Sequence, residues 1–221
     1  MCVFLILLLM KKKYMTVLVG LVMGAVYMPP KPKFTKEKIV QTALEIVSQK
    51  GIEALTAKEL GDALGSSSHP IFTVFSSMKG VQDEVRTAAM RRFESFANQK
   101  LPDIPLFKQV GMQMVPFGVK EPKLYQLLFM REKRNAVSFS DVFGELGPTA
   151  GTCIGLIRAG YGMSEQETKP LFENVWIYTF GVGALCATRV CHFSEEMLGQ
   201  MLSTEFQAMM LLVRSKNGAA R

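Results

Sequence analysis

Histidine is scarce in this 221-residue chain, with two in all, and no glycine-rich phosphate loop, nucleophile elbow or paired set of metal ligands occurs. Acid–base, nucleophilic and metal catalysis therefore have little to work with, and a small helical enzyme is the poorer reading. Cysteine is nearly as sparse. Cys2, Cys153, Cys186 and Cys191 are too few and too scattered for a disulfide framework, which fits a reduced, cytoplasmic compartment. The run CATRVCH brings Cys186, Cys191 and His192 together, but a finger-type site needs two paired ligand sets and only one loose set is present. These residues read as structural cysteines, and no metal site is expected. Alternation of apolar and polar residues is also missing over any length that would make a sheet, so the expected fold class is all-α.

Acidic residues are absent before Glu37. Three of the +7 formal charge come from Lys11, Lys12 and Lys13, which leaves +4 beyond residue 27 and a weak pull toward an anionic partner. Lys31, Lys33, Lys36 and Lys38 cluster where a basic arm could reach phosphates, although a terminal charge run is more often simply solvated. Residues 1–27 are apolar apart from the three lysines. Either half of this leader is shorter than the roughly 20 residues a bilayer span needs. A start-site extension with Met28 as the natural start is the favoured expectation; an imperfect membrane anchor or a signal-like leader are the alternatives.

What is present is a helix-turn-helix pattern from Thr56 to Lys79. Thr56 and Glu59 have the spacing of a capping box, Leu60, Ala63 and Leu64 share one face, and Gly65 stands where the chain must leave the helix with a positive φ. Ser67 is placed to cap a second helix carrying Pro70 in its first turn, where a missing N–H costs little. Ile71, Val74 and Phe75 would pack back on Leu60 and Leu64. That arrangement turns Ser68, His69 and Thr73 outward, a small polar face suited to a major groove. Phe72 and Phe75 could both be core residues, with Phe75 the better candidate because it shares a face with Ile71.

The whole run from Phe34 to Val81 resembles the amino-terminal DNA-binding domain of the TetR family of transcriptional regulators. The resemblance rests on an opening helix ending at Gly51, then Leu55 and Thr56, Gly65, and the aromatic pair Phe72 and Phe75 before Met78 and Lys79. It implies a recognition helix from Ser67 to Phe75, with Phe72 pressed on the DNA backbone where many members carry tyrosine. His69 and Pro70 depart from the family's usual small residue followed by threonine. The implied interface comprises Thr56, Lys58, Ser67, Ser68, His69, Pro70, Phe72, Thr73 and Lys79. Thr56, Lys58, Phe72 and Lys79 would meet phosphates, while Ser68, His69 and Thr73 would face base edges.

Beyond Val81 the pattern stays helical. A long amphipathic helix through Val85, Ala89 and Phe93 runs to the prolines at 102 and 105; its Arg86, Arg91 and Arg92 could touch phosphates but read better as solvated. Segments Leu106–Val119, Glu121–Glu132 and Ser140–Gly160 follow, with Pro122 at a helix start. Met114, Tyr125, Phe129, Phe172, Trp176 and Phe180 make a soft aromatic interior that could accept an apolar effector or fill an ordinary core. Ser164 with Glu167, and Ser194 with Glu195 and Glu196, open two final apolar helices. The resemblance implies that these two helices pair with a second subunit. The expected organisation is thus a leader (1–27), a three-helix DNA-binding domain (28–81) and a helical ligand-binding and dimerisation domain (82–221). The expected function is a homodimeric, ligand-responsive repressor that binds a double-stranded palindromic operator and answers to a small-molecule effector, with no other cofactor. A membrane-tethered regulator is the alternative if the leader is real.

Overall fold

The computed structural model describes residues 32–99, 106–132 and 148–218. The leader, Lys31 and the segment 133–147 lie outside the described residues, as do the prolines at 102 and 105. Helix α1 (Lys36–Lys50) starts where the Thr35 hydroxyl accepts from the Lys38 amide at 3.2 Å, and ends at Gly51. It buries Ile39, Ala43, Leu44, Ile46 and Val47, one stripe at spacings of three and four. After a 3₁₀ turn at Ile52–Ala54 come α2 (Ala57–Ala63), α3 (His69–Phe72), α4 (Met78–Ala97), α5 (Leu106–Lys120), α6 (Pro122–Phe129), α7 (Pro148–Tyr161), α8 (Glu165–Ala187) and α9 (Glu195–Gly218). Among the described residues every regular element is a helix, and none is long and apolar enough to cross a membrane.

Several boundaries move from their sequence expectation. Helix α4 begins at Met78, because the Ser77 hydroxyl accepts from the Gly80 amide at 3.3 Å and caps it three residues before Val81. Helix α5 extends to Lys120, and α6 is confined to Pro122–Phe129. The box at the start of α8 is complete: the Glu167 amide donates to the Ser164 hydroxyl at 3.3 Å and the Ser164 amide to Glu167 Oε2 at 2.6 Å. Those bonds hold the Glu167 carboxyl below its ordinary range.

From Phe34 onward the chain forms one compact unit. Its largest core joins the head to the body, running from Ile39, Leu60 and Ile71 through Val85 and Phe93 to Phe117, Leu124 and Tyr125. Helix α8 packs chiefly on α5 and also on α6, α7 and α9. A separate cluster of Ile157, Met163, Leu171, Phe206, Met210 and Val213 ties α7, α8 and α9. A third, of Val115, Val182, Cys186 and Leu198, ties α5, α8 and α9.

Close packing of α8 on α6 depends on Gly183. A Cβ built there would lie 2.8 Å from Tyr125 Cζ, a rigid ring atom that is itself fully buried. Gly183→Ala is therefore expected to lose about 1–2 kcal/mol, since overpacking costs more than the helix gains by losing a glycine. Gly155→Ala in α7, with open space around its built Cβ, is expected to gain about 0.5–1 kcal/mol for the same helical reason. Thermal midpoints of the two variants check the opposite signs.

Candidate nucleic-acid interface

The candidate interface is built by short-range decisions in the chain. The Thr56 hydroxyl accepts from the Glu59 amide at 3.1 Å and starts α2. The reciprocal half of the expected capping box is diverted, because Glu59 Oε1 instead takes the Lys50 ammonium at 2.5 Å and so ties α2 to the end of α1. The turn then rests on two glycines. Gly65 has a φ of 64°, as its position requires. Gly61 is buried under the turn itself: a built Cβ would lie 3.0 Å from the Ser68 nitrogen and 3.1 Å from the Ser66 oxygen. No side chain fits there without moving the turn, a constraint the sequence reading did not single out.

The helix expected to serve in recognition is shorter than its sequence pattern implies. It spans His69–Phe72 rather than Ser67–Phe75, and Ser68 stands at its N-cap without a side-chain capping bond, so Ser67 does not cap it. The close seat on Gly61 holds Ser68 at φ −72° and ψ −15°, already helical, which leaves its hydroxyl out of position to cap. Pro70 lies in the first turn. Beyond Phe72 the backbone continues as a turn, with the Phe75 amide donating to the Ile71 carbonyl at 2.9 Å.

The two sides of this turn of helix separate cleanly. Ile71 is fully buried and Phe75 is 7 % exposed, both in the core with Leu60, while Leu64 and Val74 pack against that core. Phe72, by contrast, is 43 % exposed. His69, Thr73, Ser67, Thr56, Lys58 and Lys79 are exposed too, whereas Ser68 and Pro70 are half-buried. The Thr73 hydroxyl donates to the Pro70 carbonyl at 2.7 Å, so its lone pairs are what remain for a partner. Lys79 pairs with Asp83 at 2.8 Å on the exposed face of α4. Of the basic arm, Lys33 and Lys38 are exposed and Lys36 pairs with Glu84 at 2.5 Å.

The head is joined to the body through Glu121, just before α6. The Ser48 hydroxyl of α1 donates to Glu121 Oε2 at 2.7 Å, and Arg92 of α4 donates to Glu121 Oε1. Arg92 also reaches Glu45 of α1 at 3.8 Å. Arg92 is therefore a bridging residue rather than the solvated one its sequence position suggests. Arg86 pairs with Asp83 at 3.3 Å.

Of the six aromatic and sulfur residues proposed as a lining, five meet and one does not. Met114 and Tyr125 belong to the main core and Phe129, Trp176 and Phe180 pack against it, with Trp176 stacked on Phe180 at 5.3 Å and Tyr125 tilted against Phe129 at 5.0 Å between ring centroids. Phe172 packs in the separate α7–α8–α9 cluster. The Tyr125 hydroxyl donates to the Phe180 carbonyl at 3.0 Å, and burial, with Cys186 nearby, pushes its pKa well above the ordinary phenol value. An open cleft of about 400 Å³ lies beside this core, lined by Arg86, Thr87, Met90, Arg91, Glu94 and Leu128. Its floor, Leu128, is part of the same buried cluster. The Arg86 Nε is buried without a hydrogen-bond partner among the described residues. Around CATRVCH, no group of three or more His, Cys, Asp or Glu able to hold a metal occurs among the described residues.

No protein-family model matches the sequence, and no curated protein matches it significantly. Solved structures do match. A TetR-family transcriptional regulator from Vibrio parahaemolyticus superposes with a TM-score of 0.54 at 12 % identity, over 78 % of this chain and 97 % of that one. A TetR-family regulator from Mesorhizobium loti gives 0.53 at 16 % identity, over 80 % and 95 %. A TetR variant from Acinetobacter baumannii in complex with minocycline gives 0.50 at 15 % identity, over 82 % and 98 %. With nearly the full length of each of these proteins covered, the all-helical chain carries the fold of TetR-family transcriptional regulators.

Proposed function

We propose that this chain is a DNA-binding transcriptional regulator that acts in the cytoplasm as a ligand-responsive homodimeric repressor on a palindromic operator. The observation that carries the reading is the split of α3 and its C-cap, where Ile71 anchors the helix on Leu60 while Phe72 and the capping Thr73 are exposed. Residues 28–81 would be the DNA-binding domain and 82–221 the sensing and pairing domain. Thr56, Lys58, Phe72 and Lys79 would position the protein on phosphates, and Ser68, His69 and Thr73 would face bases.

Pairing of two chains is supported by α8 and α9. Asn174, Ile177, Gly181 and Leu185 form an exposed stripe at spacings of three and four, and residues 174–188 contain no charged side chain. Thr204, Ala208 and Leu211 make a similar stripe on α9, with Leu211 70 % exposed. Uncharged stripes with small residues allow close helix approach between subunits. An effector would enter through the Arg86–Arg91 cleft toward the aromatic core, and would act only by preferring one of two conformations of the Glu121 junction. Two guanidinium groups over an apolar floor suit an anionic, partly apolar compound.

Footprinting of the purified dimer on DNA flanking its coding region tests the reading: a protected inverted repeat supports it, and the absence of any sequence-selective protection overturns it. On the protected site, Lys58→Ala is expected to weaken binding to all sequences alike and to lower the slope of log K against log salt by about 0.9 per subunit. Phe72→Ala should weaken binding with the slope unchanged. Thr73→Ala should instead relax preference at one base pair by about 1 kcal/mol, roughly fivefold. A uniform loss on operator and random DNA would remove Thr73 from the reading face.

A further inference from the structure

A separate chemistry lies at the far end of α8 and does not depend on the regulator reading. The helix closes at Arg189, whose φ of 59° is left-handed and unusual for a residue with a side chain. The Val190 amide donates to the Leu185 carbonyl and the Arg189 amide to the Cys186 carbonyl, both at 3.0 Å, the paired bonds of a Schellman ending. This reversal carries Cys191 back over the last turn. Its amide comes to 3.4 Å from the Leu185 carbonyl, which belongs to the peptide whose nitrogen is that of Cys186. Only one peptide unit and one N–H···O contact lie between the two Cα atoms; a disulfide needs them about 4.4–6.8 Å apart.

The surroundings set Cys186 and the segment after Cys191 against one cluster. Cys186 is buried with Val115, Val182 and Leu198, and Phe193, two residues after Cys191, packs on that same cluster. Cys191 is partly exposed, and both thiols are free. Burial and then the neighbouring Cys191 push the Cys186 thiol above its ordinary pKa. The exposed partner is therefore the one an oxidant meets first.

We propose that Cys186 and Cys191 are a modification site that a hydroperoxide converts to a reversible disulfide. The Cys191 thiolate attacks the terminal peroxide oxygen; the O–O bond breaks, an alcohol or water leaves, and Cys191 becomes a sulfenic acid. The Cys186 sulfur then attacks the Cys191 sulfur. The S–S bond forms as the S–O bond breaks, and the departing hydroxide leaves as water with the Cys186 proton. Two thiols and one hydroperoxide thus give one disulfide, one alcohol or water, and one further water. The short loop stabilises the cross-link little, so thiol reductants reopen it.

Trypsin supplies a direct readout, because it cuts after Arg189, between the two cysteines. Full-length reduced protein treated with one equivalent of hydrogen peroxide, alkylated and digested without reductant is expected to give the two flanking peptides joined, and separate after dithiothreitol. Cys153→Ser should leave the joined pair intact, and Cys191→Ser, at a partly exposed position, should abolish it. Alkylation of both thiols after peroxide, arrest of Cys191 as a sulfinic acid, or a link to Cys2 or Cys153 would overturn the site.

Discussion

Tyr125→Ala is expected to lower the unfolding free energy by about 3–5 kcal/mol, the range for truncating a large buried aromatic. The ring is fully buried and lies in a slot between three helices. Its walls are glycines from α5 and α8: a Cβ built at Gly118 would be 3.1 Å from Tyr125 Cδ2, and one built at Gly183 2.8 Å from Cζ. The two glycines that line the slot have no side chains with which to refill it, so truncation leaves a cavity rather than a collapsed core. Tyr125→Phe, which removes only the hydroxyl that donates to the Phe180 carbonyl, should cost about 0.5–1.5 kcal/mol. The gap between the two values identifies packing, not the hydrogen bond, as the main contribution. Urea titration checks both, with a lower midpoint and an unchanged slope as the expected form. Because Gly183→Ala harms the fold only by meeting this ring, the cost of that change should largely vanish in the Tyr125→Ala background. A double-mutant coupling of about 1–3 kcal/mol is the expected size for side chains in direct contact; simple additivity would mean that α8 shifts to make room.

That slot shows where sequence reading ran out. Features fixed within four or five residues were legible: the end of α1 at Gly51, the Thr56 cap, the positive φ at Gly65, the box at Ser164, and the inward Phe75 beside the outward Phe72. Each is a local contest between side chain and backbone, and residue type decides it. Features that need a distant partner were not. The Glu121 junction joins residues 73 and 29 positions apart. The length of α3 depended on Gly61, whose role is visible only once the turn lies against it. Phe172 shares the apolar character and the helix of Trp176, yet packs with Leu171 and Phe206, because a helix as long as α8 spans two clusters along its length. Composition cannot say which cluster a phenylalanine joins.

Ile71→Ala is the change with the largest expected consequence for the proposed interface. Ile71 is fully buried and is the inward anchor of a helix only four residues long. Truncating a buried isoleucine costs about 2–5 kcal/mol. A helix this short has almost no stability of its own, so its geometry is held by that anchor, by Phe75 and by the Gly61 contact. The global transition in urea should therefore move to a lower midpoint, because the head shares one core with Val85, Phe93 and Phe117. Local order should fall further than the global value implies. Amide exchange at 66–75 is expected to speed up relative to α8 even where the chain remains folded. The proposed DNA binding would fall with it, since Phe72 and Thr73 would no longer be presented from a fixed frame. Phe72→Ala provides the opposite signature, a stability change within about 0.5 kcal/mol at an exposed position together with weakened binding. If Ile71→Ala kept both its stability and its exchange pattern, the anchoring of α3 on Leu60 would be wrong, and with it the reason this turn of helix faces outward.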